Sequence, residues 1–195
     1  MRGRPRKADS ELEAQKSLIR QHLAAMLKHA DSQDVTATEL IQRSGISRPT
    51  FYKWFPGGLE QVLEELLDQR YAGLEQGMAS AVSLPGGPAA WGDAIITVYF
   101  DWLRGLNDFA DIIAREASRS EGAIAKRRQQ VLADLRKALT EAHPEFQQQE
   151  IFLDALMRVV LIVANESAGD QQASLASREA AARAIVLPSL RQLTT

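Results

Sequence analysis

Apolar residues three and four positions apart recur along almost the whole chain, a spacing typical of α-helices with one buried face. The first such stretch holds Leu12, Leu18, Ile19, Leu23, Met26 and Leu27. Ser10 precedes it with Glu13 three residues later, which predicts a capping box at the start of the helix. Alternating apolar and polar residues, the mark of a strand, are nearly absent. The pattern therefore predicts an all-α protein.

Two short helices follow within VTATELIQRSGISRPTFYKWF, residues 35–55. Thr36 with Glu39 at the third position caps the first helix, and Gly45 suits the left-handed conformation that ends it. Ser47 caps the second helix, where the missing N–H of Pro49 has no cost in the first turn. Two capped helices joined by a tight turn predict a helix-turn-helix.

The second short helix combines one apolar face with a polar face. Phe51 supplies the apolar contact, whereas Arg48, Thr50, Tyr52 and Lys53 remain on the polar side. A rigid helix that presents hydrogen-bond donors and a cation suits the major groove of DNA. The alternative is an ordinary helical hairpin with a solvated polar face.

The rest of the chain predicts longer helices on both sides of a linker, SLPGGPAA. They cover residues 59–80, 89–106, 109–117, 122–142, 146–168 and 174–193. The run IFLDALMRVVLIVA is apolar almost all round, so we expect the subunit core to cover one side and a partner subunit the other. A deeply buried central helix in a monomer is the alternative. Pro188 is expected to kink or end the last helix.

Charge separates the two ends of the chain. Residues 1–56 carry a net charge of +4 and the remainder −6, which predicts a polyanionic partner at the N-terminal end. The most apolar run is shorter than the ~20 residues of a membrane span and contains Asp154 and Arg158. No N-terminal signal peptide is recognised, and the lack of cysteine suits a reducing compartment. A soluble, cytoplasmic protein is expected.

Residues 36–55 resemble the DNA-binding segment of the tetracycline repressor (TetR) family, whose pattern is T-V-x-x-I-A, then A-G-V-S-x-x-T-x-Y-x-x-F. The matching stretches here are TATELI and SGISRPTFYKWF. The resemblance implies a three-helix DNA-binding domain over residues 1–56 and a helical ligand-binding and dimerisation domain over residues 57–195. It also implies pairing of the last two helices with their symmetry mates, as a homodimer.

The resemblance assigns the DNA contacts by position. Those within the helix-turn-helix are Thr36, Thr38, Ser47, Arg48, Pro49, Thr50, Tyr52 and Lys53. We expect Arg48 to read guanine, Pro49 to pack on a thymine methyl, and Tyr52 and Lys53 to bind phosphate. Where the family usually has a phosphate-binding Lys this chain has Gly58, and the N–H groups of Gly57 and Gly58 are the expected substitute.

The opening residues MRGRPRK resemble the core of an AT-hook. In that motif an extended Arg-Gly-Arg-Pro lies in the narrow minor groove of A·T-rich DNA. The resemblance assigns DNA contacts to Arg2, Gly3, Arg4 and Arg6. The alternative is a disordered basic tail that adds only salt-sensitive attraction.

The segment WGDAIITVYFDWLRGL and the residues after it are rich in aromatic side chains, which usually form core. The resemblance implies a ligand cavity here, for which we select Trp91, Tyr99, Trp102, Phe109 and Asn165. Such a lining predicts a hydrophobic or aromatic small-molecule effector. No cofactor or metal is expected.

The predicted function is a ligand-responsive transcriptional repressor that binds a palindromic double-stranded operator as a homodimer. An enzyme is not expected, because His22, His29 and His143 are scattered and no phosphate loop or nucleophile motif occurs. Two alternatives remain: a constitutive DNA-binding repressor and a helical protein-interaction module.

Overall fold

A computed structural model of the chain describes residues 7–117, 121–165 and 171–192. The α-helices in these ranges are α1 Lys7–Leu27, α2 Ala37–Ser44, α3 Arg48–Trp54, α4 Gly58–Val82, α5 Pro88–Leu106, α6 Phe109–Ala117, α7 Ala123–Ala142, α8 Glu150–Asn165 and α9 Gln171–Arg191. A 3-10 helix, Pro144–Gln149, precedes α8. No strand occurs in the ranges described, so the all-α prediction is confirmed.

Internal contacts divide the chain into two compact units. The first comprises Met1–Gln69 with Glu121–Ala123, and the second comprises Arg70–Ser120 with Ile124–Thr195. Helix α4 therefore contributes residues to both units. The predicted division into domains after residue 56 stays a prediction.

The first unit has a core of large apolar side chains from α1 to α4. It is formed by Ile19, Leu23, Leu27, Leu40, Phe51, Phe55, Val62 and Leu66. Arg20 is also buried there, at 7% exposure, and donates to Glu65 Oε2 at 2.7 Å and to Glu13. A buried guanidinium requires such partners, so this cluster joins α1 to α4.

The predicted start of α1 at Ser10 is wrong. The helix begins at Lys7, and Ser10 and Glu13 lie inside it. Glu13 bonds to Arg20, two turns further along the same face of the helix. A capping box does not form at Ser10, because the helix already begins three residues earlier.

In the second unit, α5 packs along α9 through a glycine. A Cβ placed on Gly92 would collide with Leu190 Cδ1, so only glycine fits this crossing as it stands. Beside it, Arg104 and Arg183 both bind Glu179, which is 8% exposed. Burial alone would raise the pKa of Glu179, but the hydrogen bonds from the two arginines outweigh it and lower that pKa.

Two predictions about the last helices are corrected. The predicted helix over residues 146–168 consists of the 3-10 helix followed by α8, which begins at Glu150. Helix α9 continues past Pro188 to Arg191, so the proline does not end the helix, whereas a kink there stays a prediction. In the turn around the proline, Ser189 Oγ donates to the carbonyl of Ile185 at 3.1 Å. No helix among the described residues is long and apolar enough to cross a membrane.

Candidate nucleic-acid interface and internal cavity

The N-terminus of α2 carries the predicted capping box in full. Thr36 Oγ1 accepts a hydrogen bond from the Glu39 N–H at 3.3 Å, while the Thr36 N–H donates to Glu39 Oε2 at 3.0 Å. Hydrogen bonds from the Thr36 side chain and backbone lower the pKa of Glu39. The helix therefore begins at a defined residue.

The turn between α2 and α3 also has the predicted form. Gly45 adopts a left-handed conformation with φ 65°, and its N–H donates to Gln42 O at 3.2 Å. Ser47 Oγ then accepts from the Thr50 N–H at 3.2 Å and caps α3, with Pro49 in the first turn. These local bonds determine the angle at which the chain enters α3.

Aromatic packing holds α3 against the first unit. Phe51 and Phe55 are both 0% exposed, and their ring centroids lie 5.5 Å apart. Lys16 Nζ of α1 lies 4.9 Å from the centroid of the Phe55 ring. One face of the short helix is thus fully buried, which gives its opposite face a fixed orientation.

The opposite face of α3 presents the predicted DNA-contacting side chains to solvent. Arg48, Pro49, Tyr52 and Lys53 are exposed, and Thr50 is half-buried. The Arg48 guanidinium lies over the Tyr52 ring, 5.8 Å from its centroid. A cation over an aromatic face is attracted to it, so Tyr52 biases the conformation of Arg48. Sequence reasoning treated these two residues as separate contacts.

The structure changes the expected contacts at the start of α2. The Thr36 hydroxyl donates to Glu39 Oε2 at 2.7 Å, so its hydrogen is already used within the chain. Thr38 is exposed in the first turn of the same helix. Helix N-termini carry N–H groups without intrahelical acceptors. A phosphate at this end therefore has a better donor set in the Thr38 hydroxyl and the first-turn amides than in Thr36.

The Gly57 and Gly58 N–H groups do not have the freedom that the sequence suggested. The Gly57 N–H donates to Gln61 Oε1 at 3.0 Å, and the Gly58 N–H donates to Phe55 O at 2.8 Å. Gly58 has φ 68°, a conformation in which a lysine would be strained. Both amides are thus used internally, which corrects the expected substitution for the missing Lys.

The remaining predicted DNA contacts are Arg2, Gly3, Arg4 and Arg6. They lie outside the residues that the structure describes. The contacts assigned to this arm stay predictions.

The second unit contains a partly open cavity of about 70 Å³ with an almost wholly apolar wall. Helices α4 to α9 all contribute to it. The wall includes Tyr71, Leu74, Met78, Trp91, Ile95, Tyr99, Trp102, Ile113, Arg128, Val131, Leu135, Leu153, Met157, Val160, Val186 and Leu190. A concave, mostly apolar space with few polar groups is the usual form of a small-molecule site.

Of the side chains that sequence reasoning selected for a ligand, three lie on this wall: Trp91, Tyr99 and Trp102. Phe109 does not line the cavity. It is buried, and the Arg70 guanidinium lies 5.3 Å from its ring centroid. The side chain of Asn165 lies outside the described part of the chain. Binding of a ligand by these residues stays a prediction.

The two tryptophans on the wall differ in their hydrogen bonds. Trp102 Nε1 donates to the backbone carbonyl of Arg70 in α4 at 2.8 Å. Trp91 Nε1 is buried and has no acceptor among the described residues. Burial raises the pKa of Tyr71, which also lines the cavity, to about 12. The wall is therefore an environment that keeps a phenol neutral.

Sequence reasoning missed most of the residues that close the cavity. Val131 and Leu135 come from α7, whose apolar stripe was not interpreted, and Leu153 and Val160 come from α8, whose apolar run was assigned to the core and a dimer. Their helical spacing shows that they are buried, but not that they face a space. Among the described residues, no group of three or more His, Asp or Glu side chains is placed to hold a metal ion.

Comparison with known proteins adds little to this geometry. No protein-family model matches the chain, and no curated protein matches it. Among solved structures, it is similar to the TetR family repressor AlkX from Dietzia sp. strain DQ12-45-1b, which is implicated in biodegradation of n-alkanes. The TM-score is 0.47 at 18% identity, over 92% of this chain and 97% of that chain. A likeness of this degree carries no conclusion about function.

Proposed function

We propose that this chain is a DNA-binding transcriptional regulator of the TetR type that works as a homodimer and responds to an apolar small molecule. The observation that carries the proposal is the geometry of α3. The helix is capped by Ser47, anchored by Phe51 and Phe55, and exposes Arg48 and Lys53. A rigid helix whose outer face is cationic and rich in donors suits the major groove.

Within that groove, Arg48 is the residue suited to reading sequence. Its planar fork matches the two acceptors of guanine, and the Tyr52 ring beneath it reduces the conformations it must lose on binding. Lys53 and Thr38 supply phosphate contacts that carry no base preference. The arm with Arg2, Gly3, Arg4 and Arg6 would add minor-groove contacts on A·T pairs.

The proposed dimer rests on an apolar face of α8 that the single chain leaves uncovered. Ile151 and Ile162 are 89% and 69% exposed, and Ala155 lies on the same helical face. The exposed Arg158 lies between them on this face and pairs with Asp154. On α9, Ile185 is 49% exposed. Apolar side chains in such a row favour a protein partner. A second copy is the occupant that would give two recognition helices for a palindromic operator, about 34–36 Å apart.

Ligand control requires that the cavity occupant prefer one conformation over another. Trp102 connects the cavity to α4, because it lines the cavity and also donates to the Arg70 carbonyl in that helix. A ligand that displaces Trp102 breaks this bond to the helix that continues into the DNA-binding unit. DNA affinity would then change by the difference in ligand affinity between the two states.

The DNA assignment is tested by selecting bound DNA from random sequence and measuring affinity for the selected operator. Arg48→Ala should weaken binding about 5- to 150-fold, equivalent to about 1–3 kcal/mol, and relax the preference at one base pair per half-site. Lys53→Ala should weaken binding evenly across sequences. Lys137→Ala removes the same charge in the second unit and serves as control. Parent-like affinity in both α3 variants would exclude α3 as the reading helix.

The dimer is tested by sedimentation at micromolar concentration. Ile162→Asp should yield folded monomers, because the side chain is exposed in the subunit and its loss opens no cavity. Leu84→Asp, at another exposed apolar residue in the loop before α5, is the matched control and should leave the dimer intact. A monomeric parent chain would refute the proposed assembly.

A further inference from the structure

The cavity wall contains one polar group whose bonding is incomplete. Trp91 is 2% exposed, lines the cavity, and its indole N–H has no acceptor among the described residues. A buried donor without a partner is rare in folded proteins, because it has lost its bond to water without replacement. A ligand that supplies the missing acceptor would explain this unpaired indole N–H.

The Trp91 ring is held in place, so it cannot readily turn to another acceptor. It stacks on the His143 ring with centroids 5.6 Å apart, and the edge of Phe146 packs at 5.8 Å. His143 is itself held by a contact of Nε2 with Val82 O at 3.2 Å. The indole donor is thus presented by a fixed aromatic cluster.

The other polar groups on the wall do not favour a charged ligand. Trp102 Nε1 already donates to Arg70 O, and Arg128 already has a partner within the chain. Tyr71 stays protonated up to about pH 12 because burial outweighs the nearby Arg128 and Arg127. Desolvation strong enough to keep a phenol neutral beside two arginines also disfavours a bound carboxylate.

We propose that the cavity binds a neutral, apolar molecule about the size of one aromatic ring, with one oxygen that accepts a hydrogen bond from Trp91 Nε1. Only the effect of this ligand on DNA affinity rests on the proposed function, since binding of the ligand itself needs no DNA. The cavity of about 70 Å³ is small, so a ring must displace wall side chains. Met78 and Met157 lie on the wall and are flexible enough to move.

The test uses three probes of nearly equal shape: acetophenone, α-methylstyrene, in which CH₂ replaces the carbonyl oxygen, and benzoate. Dissociation constants are measured calorimetrically on the full chain without DNA. The preference for acetophenone over α-methylstyrene should fall about fivefold in Trp91→Phe, which keeps a ring but lacks the N–H. Trp54→Phe is the matched control, because this tryptophan lies in α3 and is not part of the cavity wall, and there the preference should persist.

Several results would overturn the inference. They are an unchanged preference in Trp91→Phe, tighter binding of benzoate than of acetophenone, or no binding of any probe. Should Trp91→Phe fail to fold by circular dichroism, the parent chain still gives an answer through its indole ¹H–¹⁵N signals. Acetophenone should shift the Trp91 signal downfield and α-methylstyrene should not; equal shifts would again refute the contact.

The ligand class and the proposed function fail separately. Binding as described, with no change in operator affinity, would leave the ligand class intact and remove ligand control. Operator binding by the parent chain, together with no preference for the carbonyl probe, would refute the ligand class and leave the DNA-binding proposal intact.

Discussion

Two glycines one helical turn apart in α4 should respond in opposite directions to the same substitution. A Cβ on Gly77 would lie 2.6 Å from Val98 Cγ1 and 3.6 Å from Val98 Cβ, whereas a Cβ on Gly73 meets nothing within 4 Å. Valine is stiff at χ1, so it cannot easily rotate away. The contact is therefore a close approach of α4 and α5, the two helices that carry Tyr71 and Trp91 of the cavity wall.

The expected magnitudes follow from these distances. Gly73→Ala should stabilise the protein by about 0.5–1 kcal/mol, since alanine favours a helix more than glycine does. Gly77→Ala gains the same amount but incurs an overpacking cost of about 1–3 kcal/mol. The net effect is a loss of up to about 2.5 kcal/mol. The two variants should differ by about 1–3 kcal/mol, equivalent to roughly 2–12 °C in Tm for a chain of this size.

Thermal and urea unfolding, followed by circular dichroism, measure the difference. The double variant Gly77→Ala, Val98→Ala provides a control, because removal of the two valine methyl groups should restore most of the loss caused by the alanine at 77. The coupling between the two sites should be about 0.5–3 kcal/mol. Equal effects of the two single substitutions, or a loss at 77 that persists in the Val98→Ala background, would refute the close approach.

Three further predictions concern the arm, the cap of α2 and the buried phenol. Deletion of residues 1–7 should reduce the slope of log affinity against log salt concentration by about 0.9 for each phosphate that the arm neutralises in the parent complex. It should also remove a preference for flanking A·T pairs. An unchanged slope and an unchanged preference would show that these residues make no specific DNA contact. Thr36→Ala should lower stability at neutral pH. Because the folded pKa of Glu39 is lowered, the difference from the parent should shrink as the pH falls below 4.5 in urea titrations, and a constant difference contradicts the capping box. The folded pKa of Tyr71 is raised from 10.0 to about 12, so its contribution is complete below pH 10 and declines above it. Tyr71→Phe should accordingly remove part of the stability loss between pH 10 and 12, and identical alkaline profiles would contradict the burial of its hydroxyl.

The sequence by itself determined the features that depend on neighbouring residues. The capping box of Thr36 and Glu39, the left-handed Gly45 and the cap at Ser47 each involve partners within three or four positions. Such bonds form in the same way wherever the segment lies in the fold. The helix-turn-helix, the exposed face of α3 and the all-α class were therefore predictable.

The tertiary structure decided how each polar group is used. Ser10 and Glu13 have the spacing of a capping box, but the helix begins at Lys7 and the Glu13 carboxylate pairs with the buried Arg20, which also binds Glu65. Gly57 looked free to bind phosphate, but Gln61 takes up its N–H. Local patterns do not reveal such competition, because the competing partner lies on another turn or another helix.

The cavity shows the same limit most clearly. Trp91 and Trp102 are equivalent in the sequence pattern, as large apolar residues of one helix. Only packing separates them, since Trp102 reaches a carbonyl 32 positions earlier in the chain while Trp91 is enclosed without an acceptor. The spacing of apolar residues along a helix predicts which side chains are buried. An unfilled space between them depends on how side chains from six helices meet, and no local interaction specifies that.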